Sequence, residues 1–223
     1  MVPTNLPVQL TSFIGRAREL AEVERLLPGA RLITLTGAGG CGKTRLALRL
    51  ATLVSDHYAD GVYWVELARL ADPALVPQAV AKTAGVVEEP GTPVPDLLLD
   101  SLGDRQALLV LDNCEHLLAA CAQLVEALGR CPDLTVLATS REPLGAAGES
   151  CYPVLPFALP ASDLALDDIR QVDSVRLFVE RARSILPGFG LTAENAAVVA
   201  AICRELDGIP LAIELASSRV NVL

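Results

Sequence analysis

The sequence predicts an α/β fold: a parallel five-stranded sheet flanked by helices, followed by a small all-α helical domain. Three observations carry this expectation. Five short apolar runs alternate with helical patterns up to about residue 155. A glycine-rich loop joins the first run to the helix after it. Beyond residue 155 the strand-like runs stop and only helical segments follow. Alternating strands and helices imply a parallel sheet covered on both faces, because each parallel pair needs a crossover connection.

The elements follow in order. Leu20, Val23, Leu26 and Leu27 make one face of a helix that Pro28-Gly29 ends. The first strand is expected at Leu32–Thr36, with a helix over Thr44–Val54. A strand over Gly61–Leu67 precedes a helix over Pro73–Thr83. A strand over Ala107–Leu111 precedes a helix over Cys114–Leu128. Leu134–Ala138 and a run around Cys151–Leu155 complete the sheet, and Leu155–Ser162 reads as a linker. Helices are then expected over Val172–Ile185, Ala193–Leu206 and Leu211–Val220. Thr192 is the expected N-cap of the second, with Glu194 in its first turn, and Asp207-Gly208 its stop. Pro210 suits the first position of the third. The boundaries drawn are 1–155 and 156–223, and the chain reads as part of a longer protein.

The loop between the first strand and its helix reads Gly37-Ala-Gly-Gly-Cys-Gly-Lys-Thr44 and meets G-x-x-x-x-G-K-[ST] through Gly37, Gly42, Lys43 and Thr44. Glycines let the backbone take left-handed angles and approach an anion closely. Successive N–H groups at a helix start then cradle phosphates, where the helix dipole also favours negative charge. Lys43 is the residue for the β- and γ-phosphates, and the Thr44 hydroxyl a ligand of Mg²⁺. The predicted fold is therefore that of a P-loop NTPase.

Ala107 to Asp112 is a buried strand ending in a carboxylate, the feature that holds the Mg²⁺ shell opposite Thr44. Glu115 is a candidate to orient or deprotonate an attacking water, and equally a plain acidic residue at a helix start; Asn113 cannot be a base. Arg141, after the strand Leu134–Ala138, either reads the γ-phosphate or is a surface arginine paired with Glu142.

Composition narrows the field. The 223 residues are 52% hydrophobic, yet the longest unbroken apolar run, Ala196–Cys203, is far short of a membrane span. No charged and apolar leader opens the chain, and a cytoplasmic protein is expected. Eighteen basic against 27 acidic residues (net charge −9) argue against direct binding of nucleic acid. The six cysteines form no C-x-x-C pair, so zinc and disulfide frameworks are not suggested. Cys41 lies inside the phosphate loop, as a small tolerated residue or a redox switch. Ligands of such sheets bind beyond the carboxyl ends of the strands, where the phosphate loop lies. No guanine-reading N/TKxD segment is present, which favours ATP.

Five motifs stand in a fixed order: Phe13-Ile14-Gly15-Arg16, the GAGGCGKT loop, LLVLDN, TSRE, and Gly208-Ile209-Pro210-Leu211-Ala212. Over nearly its whole length the chain resembles the NB-ARC class of signal-transduction ATPases (STAND proteins). Its wording is most similar to actinobacterial transcriptional regulators of the SARP and large LuxR-type groups. The resemblance implies an ATP/ADP switch with Mg²⁺, slow hydrolysis and self-association in the ATP state. It places Ile14 and Arg16 against the adenine side and wraps the phosphates with Gly39, Gly40, Cys41, Gly42, Lys43 and Thr44, Arg45 following. Asp112 serves Mg²⁺, Arg141 senses the γ-phosphate, and Pro210 of an ARC1-like helical domain packs on adenine. It also puts the Arg141 strand between the phosphate-loop strand and the Asp112 strand. Two departures stand out. Asp112-Asn113 replaces the paired acids of many members, which implies inefficient hydrolysis, and the winged-helix domain whose histidine locks ADP is not in this chain. DNA-binding modules are expected elsewhere in the full protein. The other classes considered are an AAA+ type initiator and a small-molecule phosphotransferase. TSR in place of a polar Asn sensor argues against the first, and the lack of an acceptor-substrate pocket against the second.

Overall fold

The computed structural model describes residues 3–161 and 165–220, which pack into two units. The first comprises residues 3–11, Arg16–Gly37 and Lys43–Pro153; the second comprises Ser12–Gly15, Ala38–Gly42 and the described residues from Val154 onward.

In the first unit, β1 (Leu32–Thr36), β2 (Gly61–Glu66), β3 (Ala107–Asp112), β4 (Leu134–Ser140) and β5 (Glu149–Pro153) form one parallel sheet in the order β2-β3-β4-β1-β5. The strand carrying Thr139 thus lies between the strand that enters the phosphate loop and the strand ending at Asp112. Every residue of β3 is buried, as expected of an unbroken apolar run covered on both faces. Leu109 and Leu111 face a core shared with α3 (Val76–Ala84), α4 (Val94–Leu102) and α5 (Leu118–Leu128). The alternate residues Leu108 and Val110 are buried on the opposite face. There α2 (Lys43–Val54), beside α1 (Ala17–Leu26), buries Leu46, Leu50 and Ala51.

The sequence does not announce α4. Its residues follow a stretch dense in Pro, Gly and Glu, and Pro93 and Pro95 sit at its start. Both prolines are compatible with a helix N-terminus, where the missing N–H has no intrahelical partner to lose. Leu98 and Leu102 are buried in the core, and truncating either costs about 2–5 kcal/mol. The expected helix over Cys114–Leu128 is shortened to α5 by a 3-10 turn at Cys114–His116. The fifth strand begins two residues earlier than its sequence suggests.

Both sheet edges are managed. Edge strand β5 ends in Pro153, which offers no N–H for further pairing. At β2 the N-terminal arm continues the pairing. Val62 N–H donates to the Pro3 carbonyl at 3.1 Å. The Asn5 side chain accepts from Trp64 N–H at 2.7 Å and donates to the Trp64 carbonyl at 2.8 Å, taking the place of a neighbouring strand. Gly61, at φ 119°, allows this approach, since a Cβ there would stand 2.6 Å from the Pro3 carbonyl oxygen.

In the second unit, α6 (Leu166–Gln171), α7 (Asp173–Ile185), α8 (Ala196–Glu205) and α9 (Pro210–Ser217) enclose a core that includes Val175, Phe178, Val199, Cys203 and Ile213. Phe178 and Phe189 meet in a tilted pair with centroids 6.0 Å apart. The segment expected as a linker contributes Phe157 to this core; Ser162, at its end, lies outside the described residues. Phe157 N–H donates to the Gly208 carbonyl at 2.9 Å. The N-cap of α8 is Asn195, not Thr192, which leaves Glu194 ahead of the helix. The Asn195 amide accepts from Thr192 N–H and donates to the Gly190 carbonyl, so residues 192–195 close a turn before the helix starts. Asp207 and Gly208 both take positive φ and stop the α8 region, and Pro210 is the first residue of α9. The helix ends at Ser217, short of the expected Val220.

Among the described residues no helix is long and apolar enough to cross a membrane.

Candidate functional site

The site is built at the carboxyl ends of β1, β3 and β4. After β1 the chain turns through Gly37, Gly40 and Gly42, at φ 146°, 79° and 91°. A Cβ on Gly42 would meet nothing within 4 Å, so its positive φ, and not crowding, selects glycine there. Lys43 opens α2, and its buried side chain sends Nζ back to donate to the Gly37 carbonyl at 2.8 Å. The ammonium is thereby held at the end of β1, where the loop begins. Within the second unit, Leu211 N–H donates to the Gly40 carbonyl at 3.2 Å. A Cβ on Gly40 would lie 3.1 Å from Leu211 Cβ. The first turn of α9, opened by Pro210, is therefore in contact with the loop segment Ala38–Gly42. Gly39 is exposed, and Cys41 is fully buried.

The next residue, Thr44, donates its hydroxyl to Asp112 Oδ1 at 2.8 Å. A second hydroxyl, that of Thr139, donates to the same oxygen at 2.6 Å and accepts from Asn113 N–H at 2.9 Å. The β-sheet register explains this: Leu111 pairs with Ala138, so Thr139 at the next position stands beside Asp112. Burial pushes the Asp112 carboxyl above its ordinary value; the Thr139 and Thr44 hydrogen bonds oppose the rise, and the charges of Glu66 and Glu115 add to it. Glu66 faces Asp112 across the β2–β3 pairing. A hydroxyl and a carboxylate this close are hard oxygen donors of the kind Mg²⁺ takes, and nearby acidic charge is what a cation relieves. The residues present fit Mg²⁺.

Asn113 takes a left-handed conformation, φ 71°, which its short polar side chain tolerates. The chain turns there and brings Glu115 to Arg141: Arg141 Nε and Glu115 Oε1 lie 3.2 Å apart. The other Glu115 oxygen is buried without a hydrogen-bond partner. Arg141 is 67% exposed, and its partner is Glu115 rather than the neighbouring Glu142.

The remaining residues expected from the sequence lie as follows. Arg16 is the N-cap of α1 in a left-handed conformation, buried and ion-paired with Glu19 at 2.6 Å. Ile14 packs against the helical core of the second unit. Arg45 donates to the hydroxyl and the carbonyl of Thr11 at 3.0 and 3.2 Å, supporting the N-terminal arm. Sequence reasoning missed the part played by Thr139. Its place directly after an apolar strand was the available signal, but only the strand order brings it to Asp112.

The family profile described as AAA domain matches residues 27–145. An uncharacterised protein of Mycobacterium tuberculosis is 42% identical over 230 residues, covering 100% of this chain and 56% of that protein. A candidate HTH-type transcriptional regulator of the same organism is 47% identical over 197 residues, or 88% of this chain and 21% of the regulator. This chain thus spans about half, or less, of the length of these curated relatives. Among solved structures, a signal transduction ATPase with numerous domains and a tetratricopeptide-repeat sensor, from Pyrococcus horikoshii, superposes with a TM-score of 0.57. The two are 17% identical, and the match covers 94% of this chain and 30% of that one.

Proposed function

The chain belongs to the AAA-domain family, and on that premise we propose that it is the ATP- and ADP-binding switch module of a transcriptional regulator, hydrolysing ATP slowly. The observation that carries this reading is the convergence of Thr44 and Thr139 on Asp112 beside the Lys43 loop. The regulator relative and the signal-transduction ATPase with the same fold support it, as do the five ordered motifs that resemble those of NB-ARC proteins.

In this reading the loop N–H groups and Lys43 hold the β- and γ-phosphates of ATP. Thr44 and Asp112 hold Mg²⁺, which supplies neutralising charge to the phosphate oxygens. Thr139 positions Asp112. Glu115 orients the attacking water and accepts its proton as the bond from the γ-phosphorus to the β-bridging oxygen breaks, leaving ADP and phosphate. Arg141 reads the γ-phosphate and so separates ATP from ADP. Asn113 offers no second acid, which keeps turnover low. Ile14 and Arg16 lie against the adenine side of the nucleotide. Residues 156–223 act as the ARC1-like helical domain, whose Pro210 packs on adenine and whose arrangement answers to the nucleotide through a difference in affinity between two states. Self-association in the ATP state, DNA recognition by other parts of a cytoplasmic regulator, and the signal it receives are proposals about the whole protein.

The test is steady-state ATP hydrolysis with Mg²⁺ alongside calorimetric ATP and ADP binding, with Lys43→Ala as the blank. Clear binding with turnover far below about 10 s⁻¹ supports a switch. Turnover at or above that level points to a working ATPase, and no binding overturns the reading. An initiator of the AAA+ type, the alternative that the family match keeps in view, requires affinity for duplex DNA; a chain of net charge −9 is expected to show none by fluorescence anisotropy.

A further inference from the structure

We propose that the second unit carries a binding pocket for a small carboxylate ligand with an apolar body, separate from the phosphate loop. A cavity of about 370 Å³ opens beside α7, within the range usual for small-molecule sites. Its floor is apolar: Ile14, Val175, Val179 and Leu191. Its rim carries three guanidinium groups, those of Arg170, Arg176 and Arg183, against the single carboxylate of Glu180. Asp167 and Asp173 pair with two of these arginines, which leaves Arg183 as the rim guanidinium that makes no ion pair among the described residues.

The arginines are placed by the fold. Arg176, Val179 and Arg183 are spaced three and four residues apart on α7 and so share one helix face. Arg183 is pinned through Nε to the Phe189 carbonyl at 3.1 Å, and among the described residues it makes no ion pair. Arg170 is pinned to the Leu191 carbonyl at 2.9 Å. Its ion pair with Asp167, and that of Arg176 with Asp173, link residues three apart at the surface. Such pairs contribute little and exchange readily for a better-placed anion. Glu180 is drawn aside by the Ser12 hydroxyl, which donates to it at 3.0 Å. Planar guanidinium groups above an apolar floor suit a carboxylate that bonds the rim in bidentate fashion and buries a ring or branched body below. Of the residues assigned to the nucleotide only Ile14 lines this cavity, so the inference does not rest on the switch reading.

The test uses the full chain, ¹⁵N-labelled and titrated in ¹H–¹⁵N correlation spectra with phenylacetate and, separately, with its neutral counterpart phenylacetamide. Saturable shifts confined to residues around the cavity are expected with phenylacetate, with a Kd on the order of a millimolar or tighter. The amide is expected to bind at least about tenfold more weakly. Arg183→Glu is expected to weaken phenylacetate by about tenfold or more while leaving the rest of the spectrum unchanged, which shows that the fold is intact. Saturating Mg-ADP is expected to leave the phenylacetate Kd unchanged. No saturation by roughly 20 mM, equal affinity for acid and amide, or displacement by ADP would each overturn the proposal.

Discussion

The hydroxyls of Thr44 and Thr139 donate to one and the same oxygen, Asp112 Oδ1, at 2.8 and 2.6 Å. One comes from the first turn of the helix after the phosphate loop and the other from the end of the strand between β1 and β3. The carboxylate is thus held in place by two independent elements, and Thr139 extends the hold to the Asn113 backbone.

Thr139→Val removes that support while nearly conserving volume. Asp112 loses one donor, and the Asn113 N–H loses its acceptor. A stability loss of about 1–3 kcal/mol is expected in urea unfolding. Hydrolysis should slow while ADP affinity holds, because the loop itself is untouched. A variant as stable and as active as the parent would remove Thr139 from the site.

Asp112→Asn separates stability from function. The folded state raises the Asp112 carboxyl above its ordinary value through burial, so its stabilising contribution is present below the ordinary carboxylate value and is lost as pH rises through the raised one. At neutral pH the charged carboxylate is a burden that Asn relieves. Calorimetric melting of the variant at pH 7 should therefore lie above that of the parent. The gain should vanish in acid, where both side chains are neutral. Hydrolysis with Mg²⁺ should be lost throughout. A lower melting point at pH 7 would show that the charge is compensated.

Gly40→Ala and Gly42→Ala test two different reasons for glycine. Both positions have positive φ, costing alanine about 1–2 kcal/mol each. At Gly40 the new methyl would also press on Leu211 Cβ and Ile209 Cγ2, whereas at Gly42 it would meet no protein atom. The Gly40 variant should therefore melt lower than the Gly42 variant. Both should bind ADP more weakly, the Gly42 variant because its methyl projects into open space beside the phosphate loop.

Lys43→Ala should reduce Mg-ADP affinity by about a hundredfold or more, since a buried charge-assisted contact to phosphate is worth a few kcal/mol. Unchanged calorimetric binding would refute the loop assignment.

Arg141→Ala should weaken ATP by about tenfold relative to ADP, because only ATP offers the γ-phosphate. It also frees Glu115 from the 3.2 Å ion pair. Arg141 is mostly exposed, so this pair contributes little to stability, and the melting point should move little. Equal losses of ATP and ADP affinity would refute the sensor role.

Much of this architecture was legible in the chain. The five strands were readable because buried parallel strands are continuous apolar runs, and the phosphate loop because its glycines, lysine and threonine act through local backbone geometry. Helix α4 was hidden by prolines that serve as its opening residues, and the later start of α8 by the turn that Asn195 closes back onto Gly190 and Thr192 ahead of the helix. Asn5 gave no sign that it would complete the edge of β2.

The sequence by itself therefore determined the α/β sheet, the loop and the acidic end of β3, since strand periodicity, glycine conformation and helix-start chemistry are local properties. Tertiary structure alone decided that Thr139 stands on Asp112, that Arg141 meets Glu115 and that Leu211 reaches Gly40. Those pairings depend on strand order, register and helix docking, which are set by the simultaneous burial of many side chains distant in sequence and are written in no single segment.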